Sequence, residues 1–490
     1  MKIAAETTKD GLRLSLRGKK YRLQYPESIW EDYPDPTKKA LTNELAYLMT
    51  MHLPVMLDAD KISYNTAIPM FEPFYFKMML NHLPFCADID KIETNEYMKR
   101  LVNAEFSFPS YEPEAPDYEP YEGTPQEKAV ISFSFGKDSL LSHALLDEMG
   151  IETNLVYVSE PNTPVENNYK DAHMEKFAKE FGVQVEKLYN ETGLLHDYEY
   201  LKLQKTEFGY GHLITEYGLE MLPFAHALKA KYIVFGNERS CGDYYVGREG
   251  FKCFPVYDQS HKWLIHLNQM TRHFSNGLAN TISVVEPINE LAIIKILHSR
   301  YKEIAKYQMS CFPDETEQGK HNAWCEHCSK CARMFVFMKA CGLDVRSVGF
   351  KSNMFNNEFR NVYSIFGDAS GEMLGWDAAG AGKDELLFAF YLAYKNGASG
   401  ALIEEFKKLY LEDVRKQEDL LYKRFFGIYD SITMAKELRK KLTGIFENEL
   451  SAHNLPKHFS GGIAESVNEG ITARRIQRGV ASIAKESLGL

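Results

Sequence analysis

Two short stretches of the chain hold the residue types from which chemistry could be built. In the first, SCFPDETEQGKHNAWCEHCSKC, Cys325, Cys328 and Cys331 are spaced C-x-x-C-x-x-C, and Cys311 precedes them across a polar loop. Four thiolates gathered tetrahedrally close a metal site and leave no position for water, so the spacing predicts structural Zn2+ on these four residues. An iron–sulfur cluster uses similar spacing, and a redox or persulfide-carrying pair uses the same residue type. Both alternatives stay open at this level. His321 and His327 lie close enough in sequence to substitute as ligands, while Cys86, Cys241, Cys253 and Cys341 fit no metal spacing and are expected to pack.

The second stretch is SFSFGKDS, residues 132–139. A compact apolar strand over Ala129–Ser134 runs into a turn at Gly136 and a helix opening at Asp138 or Ser139. The free amides of a helix N-terminus at the carboxyl end of a strand form an anion site. Hydroxyls of Ser134 and Ser139 can donate to phosphate oxygens, Lys137 supplies positive charge, and Asp138 can hold a Mg2+ that bridges phosphates. The loop is not a Walker loop, because G-x-x-x-x-G-K-[ST] is absent. Further on, YIVFGNERS sets Gly236, Asn237, Glu238 and Arg239 at another strand end, where the last two are expected to meet substrate or metal.

The elements that must position these residues alternate between strand and helix. Strands are expected at Asn154–Val158, Val183–Leu188, Tyr232–Phe235 and Thr281–Val285, with helices over Ser139–Met149, Tyr169–Phe181 and about Glu220–Ala230. This pattern predicts an α/β fold with a doubly wound parallel sheet over 126–345, carrying the metal loop 311–331. Residues 1–107 read as an N-terminal α+β domain, with strands Leu12–Leu16 and Lys20–Gln24 and helices over Thr42–Thr50 and Phe74–Asn81. An acidic linker with five prolines follows at 108–125. Residues 346–490 read as a mostly helical region, ending in a tail with Arg474, Arg475 and Arg478.

The 132–139 loop resembles the S-G-G-x-D-S pyrophosphate loop of the N-type ATP pyrophosphatase (PP-loop) superfamily. Ser134, Gly136, Asp138 and Ser139 match, and Phe135 stands where the first glycine is usual. Combined with the downstream cysteines and the segment Glu286–Leu297, the chain over about 128–340 resembles the 7-cyano-7-deazaguanine synthases. Its longer layout, with FGNERS and WCEHCSKCARMF, is similar to the ATP-dependent epimerases of the peptidoglycan precursor UDP-MurNAc-L-Ala-L-Glu. The resemblance implies a Rossmann-like PP-loop domain that adenylates a substrate carboxylate and releases pyrophosphate, followed by epimerisation or by amide or nitrile formation. It implies ATP, Mg2+ and Zn2+, with Lys137, Asp138, Glu238 and Arg239 catalytic. Nucleotide contacts would come from Ser134, Phe135, Gly136, Lys137, Asp138, Ser139, Val158, Ser159, Gly236 and Asn237, with Glu160 beside them. An epimerase also needs a base near the α-carbon, and Glu238, His261, Lys262 and His266 are candidates. A tRNA-modifying enzyme and a noncatalytic nucleotide-binding protein are the competing readings.

Composition narrows these choices. The 490 residues are 44% hydrophobic and 26% charged, enough apolar material for real cores and too much for a disordered chain. A formal net charge of −11 argues against a nonspecific nucleic-acid wrapper and toward a small-molecule or precursor carboxylate as partner. The most apolar run, Leu45–Leu57, is broken by His52 and Pro54 and falls short of the ~20 residues of a membrane span. With no apolar export segment at the N-terminus, a cytoplasmic location is expected, and an oligomer is possible.

Overall fold

A computed structural model describes residues 1–117, 124–311, 313–367, 375–378 and 382–450. Its centre is one ten-stranded, mostly parallel sheet. In chain order the strands are β1 (Lys2–Thr8), β2 (Gly11–Leu16), β3 (Lys19–Gln24), β4 (Lys61–Tyr64), β5 (Glu105–Ser107), β6 (Gln126–Ser132), β7 (Glu152–Ser159), β8 (Gln184–Asn190) and β9 (Ala230–Val234). A two-residue ribbon, β10 (Tyr245–Val246) with β11 (Lys252–Cys253), stands apart, and β12 (Asn280–Ile282) completes the main sheet.

The order across the sheet is β12-β9-β6-β7-β8-β3-β2-β1-β4-β5. From β12 to β8 every pairing is parallel. The chain lays down β6, β7 and β8 in one direction, then returns past β6 to place β9 and β12 on its other side. This reversal between β6 and β9 is the topological switch point at which open α/β sheets take their ligands.

Alternation along β6 sends Ala129 and Ile131 to one face and Val130 to the other, and each face is buried under its own core. The first core joins the helices Lys137–Glu148, Glu290–Arg300 and Ser329–Ala340 to the C-terminal helices, Lys383–Lys395 and Lys436–Leu450 among them. The second joins the N-terminal helices, including Asp35–Leu48 and Glu72–Asp90, to Leu213–Glu220 and His261–Phe274.

The parallel strands fall close to the expected spans, but the N-terminal segment is not set apart from the sheet. A strand edge left bare at β8 would expose a row of unpaired backbone groups. Instead β3 pairs with β8 antiparallel, Leu23 opposite Asn190 and Gln24 opposite Tyr189, and β2, β1, β4 and β5 extend the sheet. Arg22 fastens this seam through Nε and Nη2 to the Glu191 carboxylate, both at 3.2 Å. The described part of the 108–125 linker lies on the N-terminal helices, where Asn43 Nδ2 donates to Glu114 at 3.2 Å.

Three elements differ from expectation for local reasons. The helix expected over about Glu220–Ala230 is two, Leu213–Glu220 and Leu222–Ala227, with Pro223 at the start of the second. The helix expected at Phe74–Asn81 continues to Asp90 through Pro84, held by burial of Leu83, Phe85 and Cys86. β12 stops at Ile282, because Ser283 turns its hydroxyl onto the Asn237 carbonyl at 2.8 Å. The tail with Arg474, Arg475 and Arg478 lies outside the described residues. Among those described, no helix is long and apolar enough to cross a membrane.

Candidate functional site

The loop after β6 and the loop after β9 meet at the switch point. Buried β6 delivers Ser134 to the surface, and the chain then takes a left-handed step at Phe135, with φ of 58°. The Phe135 side chain turns inward and is fully buried, its ring 4.7 Å from Phe133 and 5.6 Å from Phe177. It therefore leaves the loop mouth clear, although it occupies a position whose backbone favours glycine. Gly136 N–H donates to Ser134 Oγ at 3.4 Å, and Ser139 Oγ closes the turn on the Gly136 carbonyl at 3.2 Å. The helix Lys137–Glu148 begins there, so its first amides have no acceptor within the helix.

Gly236 explains how tightly the second loop is drawn in. A Cβ at this residue would stand 2.5 Å from Asp138 Cβ and 3.1 Å from its backbone carbon, so only glycine lets the β9 end touch the first helical turn. Asn237 is buried beside it, and its side-chain Nδ2 has no hydrogen-bond partner. Val158 and Ser159 end β7, the strand next to β6, half-buried and buried respectively.

Charge is concentrated where the loops join. Lys137 Nζ is buried and lies 2.8 Å from both Asp138 and Glu290. Burial opposes its charge, yet Asp138, Glu290 and Glu238 together hold its pKa above the ordinary lysine value. Glu290 also faces Arg333 at 3.3 Å, and Arg333 reaches Asp377 at 3.6 Å. Despite its burial Glu290 is held at about 2 by Arg333 and Lys137. Glu238 goes the other way: burial and the nearby Glu290 push it up to about 8, against the pull of Lys137. Two neighbouring carboxyls with pKa values driven apart can divide the roles of fixed anion and proton carrier.

The other sequence candidates scatter. Glu238 accepts from Ser240 N–H at 2.6 Å and from its hydroxyl, so it also caps the turn Arg239–Gly242. Arg239 stacks its guanidinium on Tyr429 at 4.8 Å from the ring centre. His261 is buried, with Nδ1 2.9 Å from where a Gly242 Cβ would stand, and it senses the charges of Glu286, Arg239 and Lys262. His266 is directed elsewhere, to Lys77 at 3.1 Å and to Phe74. Glu286 receives Thr433 N–H at 2.9 Å and Ile432 N–H at 3.2 Å, tying the chain after β12 to the C-terminal segment.

Cys311, Cys325, Cys328 and Cys331 are all buried, and their sulfurs lie within 4.8 Å of one another. A tetrahedral Zn–S shell at ~2.3 Å needs sulfurs a little under ~4 Å apart. Backbone amides of Cys325, His327 and Cys331 donate to Cys311, Cys325 and Cys328 sulfurs at 3.3, 3.4 and 3.4 Å, which suits thiolate ligands. The cluster can hold a metal ion such as zinc. His327 sits outside it, bound to the Cys325 carbonyl at 2.8 Å, and His321 is exposed.

The cysteine loop also aims a helix. Cys328 caps Ser329–Ala340, and on that helix Lys330 and Arg333 join Lys137 in one field of positive charge around Glu290. Met309 N–H, just before Cys311, donates to the Phe135 carbonyl at 2.9 Å. Asp314, within the loop, accepts Val165 and Glu166 N–H at 2.8 and 2.9 Å. Sequence reasoning names no role for Lys330, Arg333, Glu290, Asp377 and Glu385; the local signals are that Lys330 and Arg333 fall in WCEHCSKCARMF and Glu290 in the segment Glu286–Leu297. No family model matches the chain, and no curated protein matches it.

Proposed function

We propose that this chain is an ATP-dependent enzyme of the PP-loop type, which adenylates a substrate carboxylate and releases pyrophosphate. The observation that carries the reading is the contact between the Ser134–Ser139 loop and Gly236–Glu238 across the switch point, with Lys137, Lys330 and Arg333 gathered beside it. The residues fit a polyphosphate: a glycine-bearing turn, free helix amides, two hydroxyls and buried cations stabilise an anion without reorganising. Mg2+ would sit at Asp138, which keeps 27% of its side chain exposed, and would neutralise charge between phosphates. Val158 and Ser159 lie one strand over, where a nucleoside would extend.

Lys137 holds its charge at the loop because three carboxyls surround it. Glu238, pushed up to about 8 by burial and Glu290, is the group suited to give or take a proton at a bound acyl group, the task that either inversion at an α-carbon or amide formation requires. A terminal glutamate of a UDP-linked peptidoglycan precursor is the substrate that the resemblance favours, and the cysteine site acts in structure and not in the reaction.

Exchange of labelled pyrophosphate into ATP tests the reading. It is expected to require a small carboxylate such as UDP-MurNAc-L-Ala-L-Glu, and Asp138→Asn should lower it on the order of 10²–10³-fold with unchanged thermal unfolding. Deuterium taken from solvent at the α-carbon would mark epimerisation. Exchange that depends on RNA would replace the proposal with a nucleic-acid substrate, and its absence with every carboxylate and with RNA would refute adenylation.

A further inference from the structure

On the sheet face opposite the cysteine loop, four polar side chains from distant segments meet in the interior. His52 follows the helix Asp35–Leu48, His196 follows the turn Glu191–Leu195 beyond β8, and His212 and Glu216 lie at the start of and within Leu213–Glu220. All four are at most 1% exposed. The ligand nitrogens of the three histidines lie within 4.8 Å of one another. Glu216 Oε1 lies 3.3 Å from His196 Nε2 and 3.2 Å from His212 Nε2.

The protons on these rings can be assigned from their other neighbours. His52 Nε2 stands 2.9 Å from the Leu195 carbonyl, and His196 Nδ1 stands 2.8 Å from the Gly209 carbonyl. A carbonyl only accepts, so these two nitrogens carry hydrogen. In the neutral rings His52 Nδ1 and His196 Nε2 are then lone pairs, and neither has a hydrogen-bond partner. His212 carries one N–H in its neutral ring, and neither of its nitrogens nor either Glu216 oxygen makes a well-aligned hydrogen bond, although Glu216 Oε1 lies within 3.3 Å of the Nε2 atoms of His196 and His212. Lone pairs and a carboxylate turned toward one another in a dry interior repel unless a proton or a metal ion lies between them, and three imidazoles converging on one point offer more donors than one proton can serve. An imidazole whose far N–H is fixed by a carbonyl is oriented as a metal ligand.

The backbone is shaped around the same point. Gly209 has φ of 111°, with His52 Cδ2 3.4 Å from where its Cβ would be. A Cβ on Gly211 would fall 2.2 Å from the ring of His82, a further buried imidazole that stands outside this set.

We propose that His52, His196, His212 and Glu216 form a second metal site, which binds a divalent transition metal through three imidazoles and one carboxylate. Three imidazole nitrogens form the closed set, and the Glu216 carboxylate stands within 3.3 Å of two of them as the fourth donor, a nitrogen-rich arrangement that suits zinc best. The ion would join the N-terminal segment to the loop after β8 and to the helix beyond it, on the side of the sheet where β3 meets β8.

Reconstitution of the metal-stripped full chain with Co2+ alone provides the test. Two equivalents per chain are expected, of which one gives a thiolate-to-cobalt charge-transfer band. His212→Gln and Glu216→Gln should each lower the count from two to one and leave that band intact, with circular dichroism to verify folding. Cys328→Ser should do the converse; if it does not fold, the two interior variants still decide, since they are read against the retained thiolate band. A wild-type chain that binds only the thiolate-held ion, or variants that keep two equivalents, would overturn the proposal. So would a 15N spectrum of the cobalt-free and Co2+-treated chain that shows His196 doubly protonated in both, the signature of an imidazolium paired with Glu216 in place of a metal.

Discussion

The cysteine loop and the histidine cluster occupy opposite faces of one sheet and are assembled in opposite ways. The cysteines come from a single segment, Cys311 to Cys331, whose own backbone amides already point at the sulfurs. The histidines are drawn from positions 52, 196 and 212, and they meet only because β3 has paired with β8 and the helices have packed. A local site can organise its loop as soon as metal binds; a dispersed one exists only after the tertiary fold does.

The largest test of this contrast is Cys331→Ser. It is expected to release the thiolate-bound metal and cost several kcal/mol in urea denaturation, on the scale set by the ~10–16 kcal/mol that structural zinc supplies in small peptides. The helix bearing Lys330 and Arg333 should lose its fixed start, so that the proposed adenylation falls as well. Metal at the histidine cluster should survive, and simultaneous loss of both ions would show that the two faces are not separable.

Next in size is Arg333→Met, which takes from buried Glu290 its 3.3 Å ion pair, leaving Lys137 and the nearby Lys330, and removes the 3.6 Å contact to Asp377. A cost of about 3–5 kcal/mol is expected by urea denaturation. Adding Glu290→Gln should recover part of it, because the orphaned charge is then gone. A near-zero cost would mean that the cysteine loop positions nothing of consequence at the crevice.

A third test reads Glu238 as a slope against pH. Its folded pKa of about 8 lies above that of an unfolded glutamate, so the folded state binds the extra proton between roughly pH 4.5 and 8. Its contribution to stability is complete below that window and lost as pH rises through it. Glu44, Glu160 and Asp258, each raised to about 7 by burial, titrate in the same direction. Glu238→Gln should therefore flatten, without abolishing, the fall in melting temperature from pH 5 to 9. An unchanged slope would place Glu238 outside the dry part of the cluster.

What could be read from the sequence follows the same division. Strand period, turn glycine and helix start are encoded within a few residues, which is why β6 to β9 and the Ser134–Ser139 loop were legible. So was the cysteine set, whose spacing is local. The charge network was not, since Glu290, Arg333, Asp377 and Glu385 acquire meaning only from one another across 95 residues of chain. Short β4 and β5 carry too few residues to show alternation, and the β3–β8 seam rests on two residue pairs. His52 read as an interruption in an apolar run because its partners lie more than 140 residues away.

Phe135 has a consequence for how strongly the loop could bind. Its left-handed backbone costs about 1–2 kcal/mol relative to an ordinary conformation, while burying the ring returns about 1.5–3 kcal/mol. The aromatic side chain thus acts as a rivet that clamps the turn from below, where a glycine would leave it free to wander. A turn already frozen loses little freedom when an anion arrives, so affinity there would come with a smaller entropic penalty and a slower release than a glycine hinge would give.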